Sequence, residues 1–188
     1  IKTVLIGEDI PDSKKDNKII YYNKSDIKND FLDIYLSSNC KYFIGSSSGM
    51  TQLSMIFRKK ILFINISEIY RLTTEETIYK PIILLKKFKS LKTGEYISYP
   101  RVLEKKLSEF EYVDDLNKLG YDVEDNSEEE ILNACEEMEH YLERKEYLNY
   151  DSYLEKKFNK ILLKNKGSAL QYSKISFSFL KKNSGLLE

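Results

Sequence analysis

The chain has 188 residues, 41% hydrophobic and 32% charged, and its 30 Lys and Arg balance 30 Asp and Glu to a formal net charge of zero. That balance gives no electrostatic basis for general nucleic-acid binding. No apolar run reaches the ~18 to 20 residues of a membrane span, and the length suits one domain or one domain with an appendage. In chain order, the first half alternates short apolar runs with helical patterns. "TVLIG" (3–7), "KIIYY" (18–22), "CKYFIG" (40–45) and "KILFIN" (60–65) carry β-branched or aromatic residues and end in turn chemistry. Between the second and third, Ile27, Phe31, Ile34 and Tyr35 recur at helical spacing behind Ser25 or Asp26 as cap. Between the third and fourth, Met50, Leu53, Ile56 and Phe57 form a second stripe. A fifth strand is expected at "PIILLKKF" (81–88), after a loop of about fifteen residues. Apolar strands separated by helices predict an α/β fold with a Rossmann-like parallel sheet and helices on both faces.

From about residue 99 the pattern becomes helical. "SYPRVLEKKLSEF" and "VDDLNKLG" predict short helices. "SEEEILNACEEMEHYLERKEYLN" predicts a long one: Ser127 caps, Glu130 completes a capping box, and Ile131, Cys135, Met138 and Leu142 form the inner stripe. "YDSYLEKKFNKILLKN" predicts another, before a looser "SKISFSFLKKNSGLLE". The expected layout is a sheet core over 1–98 and a helical C-terminal annex over 99–188. Cys40 and Cys135 read as buried free thiols. The chain opens on Ile1 directly at a strand, as a piece of a longer protein would, and shows no leader, so a cytoplasmic location is expected.

The chemistry concentrates in "GSSSG", 45–49, between a strand and the first turn of a helix, where parallel sheets bind their ligands. Gly45 and Gly49 suit tight geometry and close approach. The amides from Ser47 to Met50 have no partner within the helix, the helix dipole adds positive character, and three hydroxyls add donors without bulk. The pattern suits an anion, most naturally phosphate. The candidate set is Ser46, Ser47, Ser48, Gly49, Met50 and Thr51. Two other readings stand beside it. One is an ordinary capped turn. The other is the G-x-S-x-G nucleophile elbow of a serine hydrolase, with Ser47 as nucleophile. The elbow needs a base, and the single histidine, His140, falls on a Glu-rich helix face away from Met138 and Leu142.

Around the same rim, Gly7 and Glu8 end the first strand, Tyr22 and Asn23 the second, and Asn65 the fourth. Each is a candidate for sugar or base contacts or a plain turn residue. Residues 66–80 are long enough for a lid, with Arg71 and Lys80 as its cations. "RKK" (58–60) begins a strand and so lies at the far end of the sheet. No Cys/His set has metal spacing, and no Walker lysine follows the glycines, so neither a metal nor a P-loop is expected.

"NDFLDIYLSSNCKYFIGSSSGMTQLSMIFRKKILFIN" resembles the C-terminal half of a family of bacterial GT-B-type glycosyltransferases encoded among surface-polysaccharide genes. The shared features are a strand ending in Gly7, the "YYNKSD" stretch, "DFLDIYL", Gly45 to Gly49, and a strand closing in Asn65. "LGYDVEDNSEEEILNACEEM" and the terminal "ISFSFLKKN" are similar to the family's late segments. The resemblance implies a donor-binding domain whose Ser46, Ser47, Ser48 and Gly49 meet the diphosphate of a nucleotide-sugar, with Gly7 and Glu8 nearby. It implies metal-independent transfer, no cofactor, and a glycan or lipid-linked acceptor that would bring the protein to the inner face of a membrane. The family's N-terminal acceptor domain is expected outside this chain. "YYN" stands where the family more often has an Asp-Tyr pairing. A non-catalytic module of the same fold, binding a phosphorylated ligand or a partner, remains the alternative.

Overall fold

The computed structural model describes residues 2–7, 17–69, 81–144, 152–166 and 174–188. It is an α/β protein built on a four-stranded parallel sheet flanked by helices. The strands are β3 (Tyr42–Gly45), β4 (Lys60–Ile66), β5 (Ile82–Leu85) and β8 (Lys174–Ile175), in that spatial order. β1 (Thr3–Leu5) and β2 (Ile19–Tyr21) pair in parallel with each other, as a separate two-stranded sheet.

The central strand β5 is shut off from water at all four positions, as a parallel strand covered on both faces must be. The long helix α5 (Glu128–Arg144) lies against β4 and β5 and buries Ala134, Met138 and Tyr141. Strand alternation puts Lys60 and Leu62 on that face, and the Lys60 ammonium sits 5.1 Å from the Tyr141 ring centre. Ile61, fully buried, points to the opposite face. The core is completed by α3 (Tyr99–Glu104), α4 (Val113–Lys118), α6 (Ser152–Lys166) and α7 (Phe177–Lys182). Tyr99 of α3 meets Phe158 of α6 edge to face, with ring centres 6.0 Å apart.

The capping box forms as the spacing predicts: the Glu130 amide donates to Ser127 Oγ and the Ser127 amide to Glu130 Oε2. Several expectations change. "PIILLKKF" is two strands, not one. The Lys86 amide donates to the Ile66 carbonyl at 2.8 Å, and the chain then turns into β6 (Lys87–Ser90), antiparallel to β7 (Tyr121–Glu124). The part after residue 98 is not helical throughout: it contributes β7, and its β8 pairs with β5 in the main sheet. α1 (Asp30–Asn39) is capped by Asn29, whose Oδ1 accepts the Leu32 amide, rather than by Ser25 or Asp26. The expected apolar stripes of the first two helices are also largely outside. Ile27 is 64% and Phe31 71% exposed, with Ile34 and Tyr35 beside them, while Leu32, Leu36 and Ser37 face inward. On α2 (Gly49–Ile56), Ile56 and Phe57 are exposed and Thr51, Ser54 and Met55 are buried. α1 and α2 pack on each other through these smaller, more polar faces.

α2 ends in a Schellman turn: Arg58 donates its amide to Met55 and Lys59 to Ser54. Arg58 occupies the left-handed position, φ 55°, that glycine adopts without cost. Arg58→Gly is therefore expected to stabilise the protein by about 1 kcal/mol in urea unfolding. Among the described residues no helix is long and apolar enough to cross a membrane.

Candidate functional site

The turn from Gly45 to Thr51 stands at the carboxyl end of β3. Gly45 is required there by packing, since a Cβ would lie 2.8 Å from Phe43 Cε1 and 3.4 Å from Thr51 Oγ1. Thr51 is wholly buried beneath the turn. Its hydroxyl donates to the Ser46 carbonyl at 2.6 Å, so its one proton is spent, and the 3.0 Å contact with Ser48 Oγ is donated by Ser48. Ser48 Oγ also accepts the Thr51 amide at 3.4 Å. Ser48 is thus the helix cap, and both its hydroxyl and that of Thr51 are used within the protein.

What remains faces solvent. Ser46, Ser47, Ser48 and Gly49 are exposed and Met50 is half-buried. Among the described residues, the amides of Ser47, Ser48, Gly49 and Met50 have no acceptor, nor do the hydroxyls of Ser46 and Ser47 take part in any hydrogen bond. Gly49 is informative for what it lacks: a Cβ there would meet nothing within 4 Å, and its φ is not positive. Neither packing nor backbone geometry calls for glycine.

The other rim candidates separate. Asn65 sits within β4 in the left-handed region, φ 57°, where the β4–β5 register shifts. Its amide donates to Asn126 Oδ1 and the Asn126 amide donates to Asn65 Oδ1, both at 2.7 Å. Asn126 Nδ2 reaches the Leu85 carbonyl at 2.8 Å. The pair clamps the carboxyl ends of β4 and β5 to the start of α5, so the backbone amide and Oδ1 of Asn65 serve the fold. Tyr22 is 3% exposed; its hydroxyl donates to the Asn29 carbonyl and accepts the Asn29 amide, fixing the entry to α1. Asn23 Oδ1 is buried without a partner among the described residues. Gly7 is exposed just past the end of β1, in the separate two-stranded sheet. Glu8, Arg71 and Lys80 lie outside the described residues.

His140 is exposed on α5. Its neighbours fix its location: Glu139 pairs with Lys41, just before β3, and Tyr141 carries Lys60, the first residue of β4. His140 is therefore at the amino end of these strands and Ser47 beyond the carboxyl end, separated by the length of β3, about 13 Å at 3.3 Å per residue. That distance removes His140 as a base for Ser47.

Cys40 and Cys135 are free and half-buried, and burial pushes both thiols up, away from the reactive thiolate. Among the described residues no group of three or more His, Cys, Asp or Glu could hold a metal ion.

Sequence reasoning missed a partly buried ionic cluster where the antiparallel β6–β7 pair meets α5. Lys87 Nζ lies 2.8 Å from Glu124 Oε1 and 3.6 Å from Glu130 Oε1, and Asn183 donates to Glu130 at 3.1 Å. Tyr96 donates to Glu124 and its ring carries the Lys87 ammonium at 5.4 Å. The Lys87 and Tyr96 hydrogen bonds hold the Glu124 carboxyl below its usual range. Burial opposes ionisation of Glu130, but the Ser127 amide, Asn183 and Lys87 outweigh it and hold that carboxyl low too.

Compared with known proteins, the chain matches no family model, no curated protein and no solved structure.

Proposed function

We propose that the Ser46–Met50 turn binds the diphosphate of a nucleotide-sugar and that the chain is the donor-binding part of a GT-B-type, metal-independent glycosyltransferase acting on a glycan or lipid-linked acceptor. The observation that carries this reading is the run of four acceptorless amides, Ser47 to Met50, opening at the carboxyl end of a parallel strand beside two unengaged hydroxyls. Such a set fits phosphate oxygens, and it would stabilise negative charge as it builds on a departing nucleoside diphosphate. The resemblance of residues 29–65 to the donor half of that family supplies the sugar-transfer part of the reading. The proposed fold is accordingly half of a GT-B enzyme, with the residues beyond 98 completing the donor-side core.

The test separates binding from stability. Nucleoside diphosphates should raise the melting temperature of the protein and bind by calorimetry. Gly49→Ala should leave the fold as stable or slightly more so, because the added methyl meets nothing and alanine favours helix. It should nevertheless weaken nucleotide binding by about tenfold or more, by filling the approach to the amides. Ser47→Asp, whose carboxylate suits a helix N-terminus, should also keep the fold and abolish binding by charge repulsion. No shift with any nucleoside diphosphate would end the reading.

A further inference from the structure

α1 carries bulky apolar residues on the side turned away from the protein. At about 100° per residue, Leu32, Asp33, Leu36 and Ser37 share its inward face, and Phe31, Ile34 and Tyr35 the opposite one. The seam with α2 is made of smaller and more polar groups, among them Ser37 and Ser54, both buried with hydroxyls that have no partner among the described residues. Such hydroxyls cost free energy, so this seam does not account for where the apolar residues went. On the outer face the Phe31 and Tyr35 rings stack, with centres 6.3 Å apart and planes 24° from parallel.

A second apolar patch closes α2. Ile56 and Phe57 are exposed where that helix ends, and Arg58 follows them, exposed, in a left-handed position that glycine takes without cost, with Lys59 next. The two patches differ in charge. α1 itself carries Asp30 and Asp33 and no cation, with Lys24, Asp26 and Lys28 in the turn ahead of it. α2 carries no charge and runs out into Arg58 and Lys59. Ile27, Phe31, Ile34, Tyr35, Ile56 and Phe57 are each between 39% and 71% exposed. Together they present roughly 600 Å² of apolar surface, so two copies face to face would bury roughly 1,200 Å², where stable specific interfaces begin.

We infer that the chain forms a two-fold homodimer in which the α1 patch of each protomer covers the α2 patch of the other. A two-fold axis midway between the patches, set across the line that joins them, makes the same contact twice, so both patches are covered and the assembly closes. Phe31 and Tyr35 are the anchors, and Asp30 meets Arg58 at the rim. The charges favour a second copy as the occupant, because each patch brings the sign that the other lacks.

The test is sedimentation equilibrium on the full 188-residue chain without nucleotide. The expected mass at micromolar concentration is twice the 22.2 kDa of one chain. Phe31→Asp alters a side chain that is solvated in the protomer, so it should leave the circular dichroism unchanged and raise the dimer dissociation constant by about tenfold or more. Asp30→Lys and Arg58→Glu should each weaken the dimer, and the two in one chain should recover most of the loss, because the swap keeps the pair at both copies of the contact. A mass of one chain at every concentration up to the solubility limit overturns the inference. A dimer that Phe31→Asp leaves intact also overturns it, by placing the interface elsewhere. Losses that add in the double variant overturn the pairing of α1 with the end of α2. A monomer whose melting temperature Phe31→Asp lowers would show that another segment of this chain covers the stripe, again against a second copy. Nucleotide is absent throughout, so each outcome leaves the functional reading above as it stands.

Discussion

Glu130→Ala is expected to destabilise the protein by about 4 kcal/mol, the scale of breaking a buried ion pair from one side. The Glu130 side chain is 1% exposed, and its loss strips Lys87 of one counter-charge, leaves the Ser127 amide without its acceptor and costs the Asn183 side-chain amide one of its two acceptors, the Phe179 carbonyl remaining. At roughly 2–4 °C per kcal/mol for a chain of this size, calorimetry should register a fall near 10 °C. Glu130→Gln keeps an acceptor and loses only the charge, so it should fall between the two. The pH dependence has a definite sign. Both Glu124 and Glu130 have folded-state carboxyls held below their ordinary range. Their contribution is present above the unfolded value, about 4.3, and is lost as pH falls through the lower folded values. The wild type should lose stability as pH falls below about 4, and Glu130→Ala should lose less over that interval. A variant as acid-sensitive as the wild type would remove Glu130 from the cause.

Glu137→Ala should cost about 3 kcal/mol, because one carboxylate serves the whole start of α7. Its Oε1 accepts Ser176 Oγ at 2.9 Å, the Ser178 amide at 2.8 Å and Ser178 Oγ at 2.6 Å, and its Oε2 accepts the Phe177 amide at 3.0 Å. These are charge-assisted bonds at a helix N-terminus, and Ser176 beneath them is fully buried. Glu137→Gln retains a single good acceptor and should recover about half of the loss in urea unfolding. A neutral Glu137→Ala would mean that water replaces the carboxylate and that α7 is held by its apolar face alone.

The alternation of strand and helix was readable because it is local: β3, the serine turn and α2 follow from hydrophobic period and turn chemistry within fifteen residues. The Ser127–Glu130 box was readable for the same reason, its two partners being three residues apart. Glu137 was not. It sits in "CEEMEHYLER", where a glutamate reads as a solvated face, and its partners lie about 40 residues downstream. Lys87 looks like the end of an apolar run until β7 brings Glu124 opposite it. Asn65 was expected to close its strand and instead lies within β4, one residue short of its end, with hydrogen bonds that depend on Asn126, 61 positions away. Within the turn, three serines appear equivalent in sequence. Only the structure, in which Ser48 Oγ accepts the Thr51 amide and the Thr51 hydroxyl is committed to the Ser46 carbonyl, distinguishes Ser48 as the cap from Ser46 and Ser47, whose hydroxyls are unengaged among the described residues.

The reciprocal asparagine pair has a consequence for anyone dissecting this molecule. A fragment stopped at residue 98 would carry every side chain of the serine turn, yet it would lack Asn126, which grips the ends of β4 and β5, and β8, which pairs with β5. The strands beside the serine turn are thus braced by the last third of the polypeptide, so shortening from that end should loosen the sheet that carries the turn before a single residue of the turn is removed.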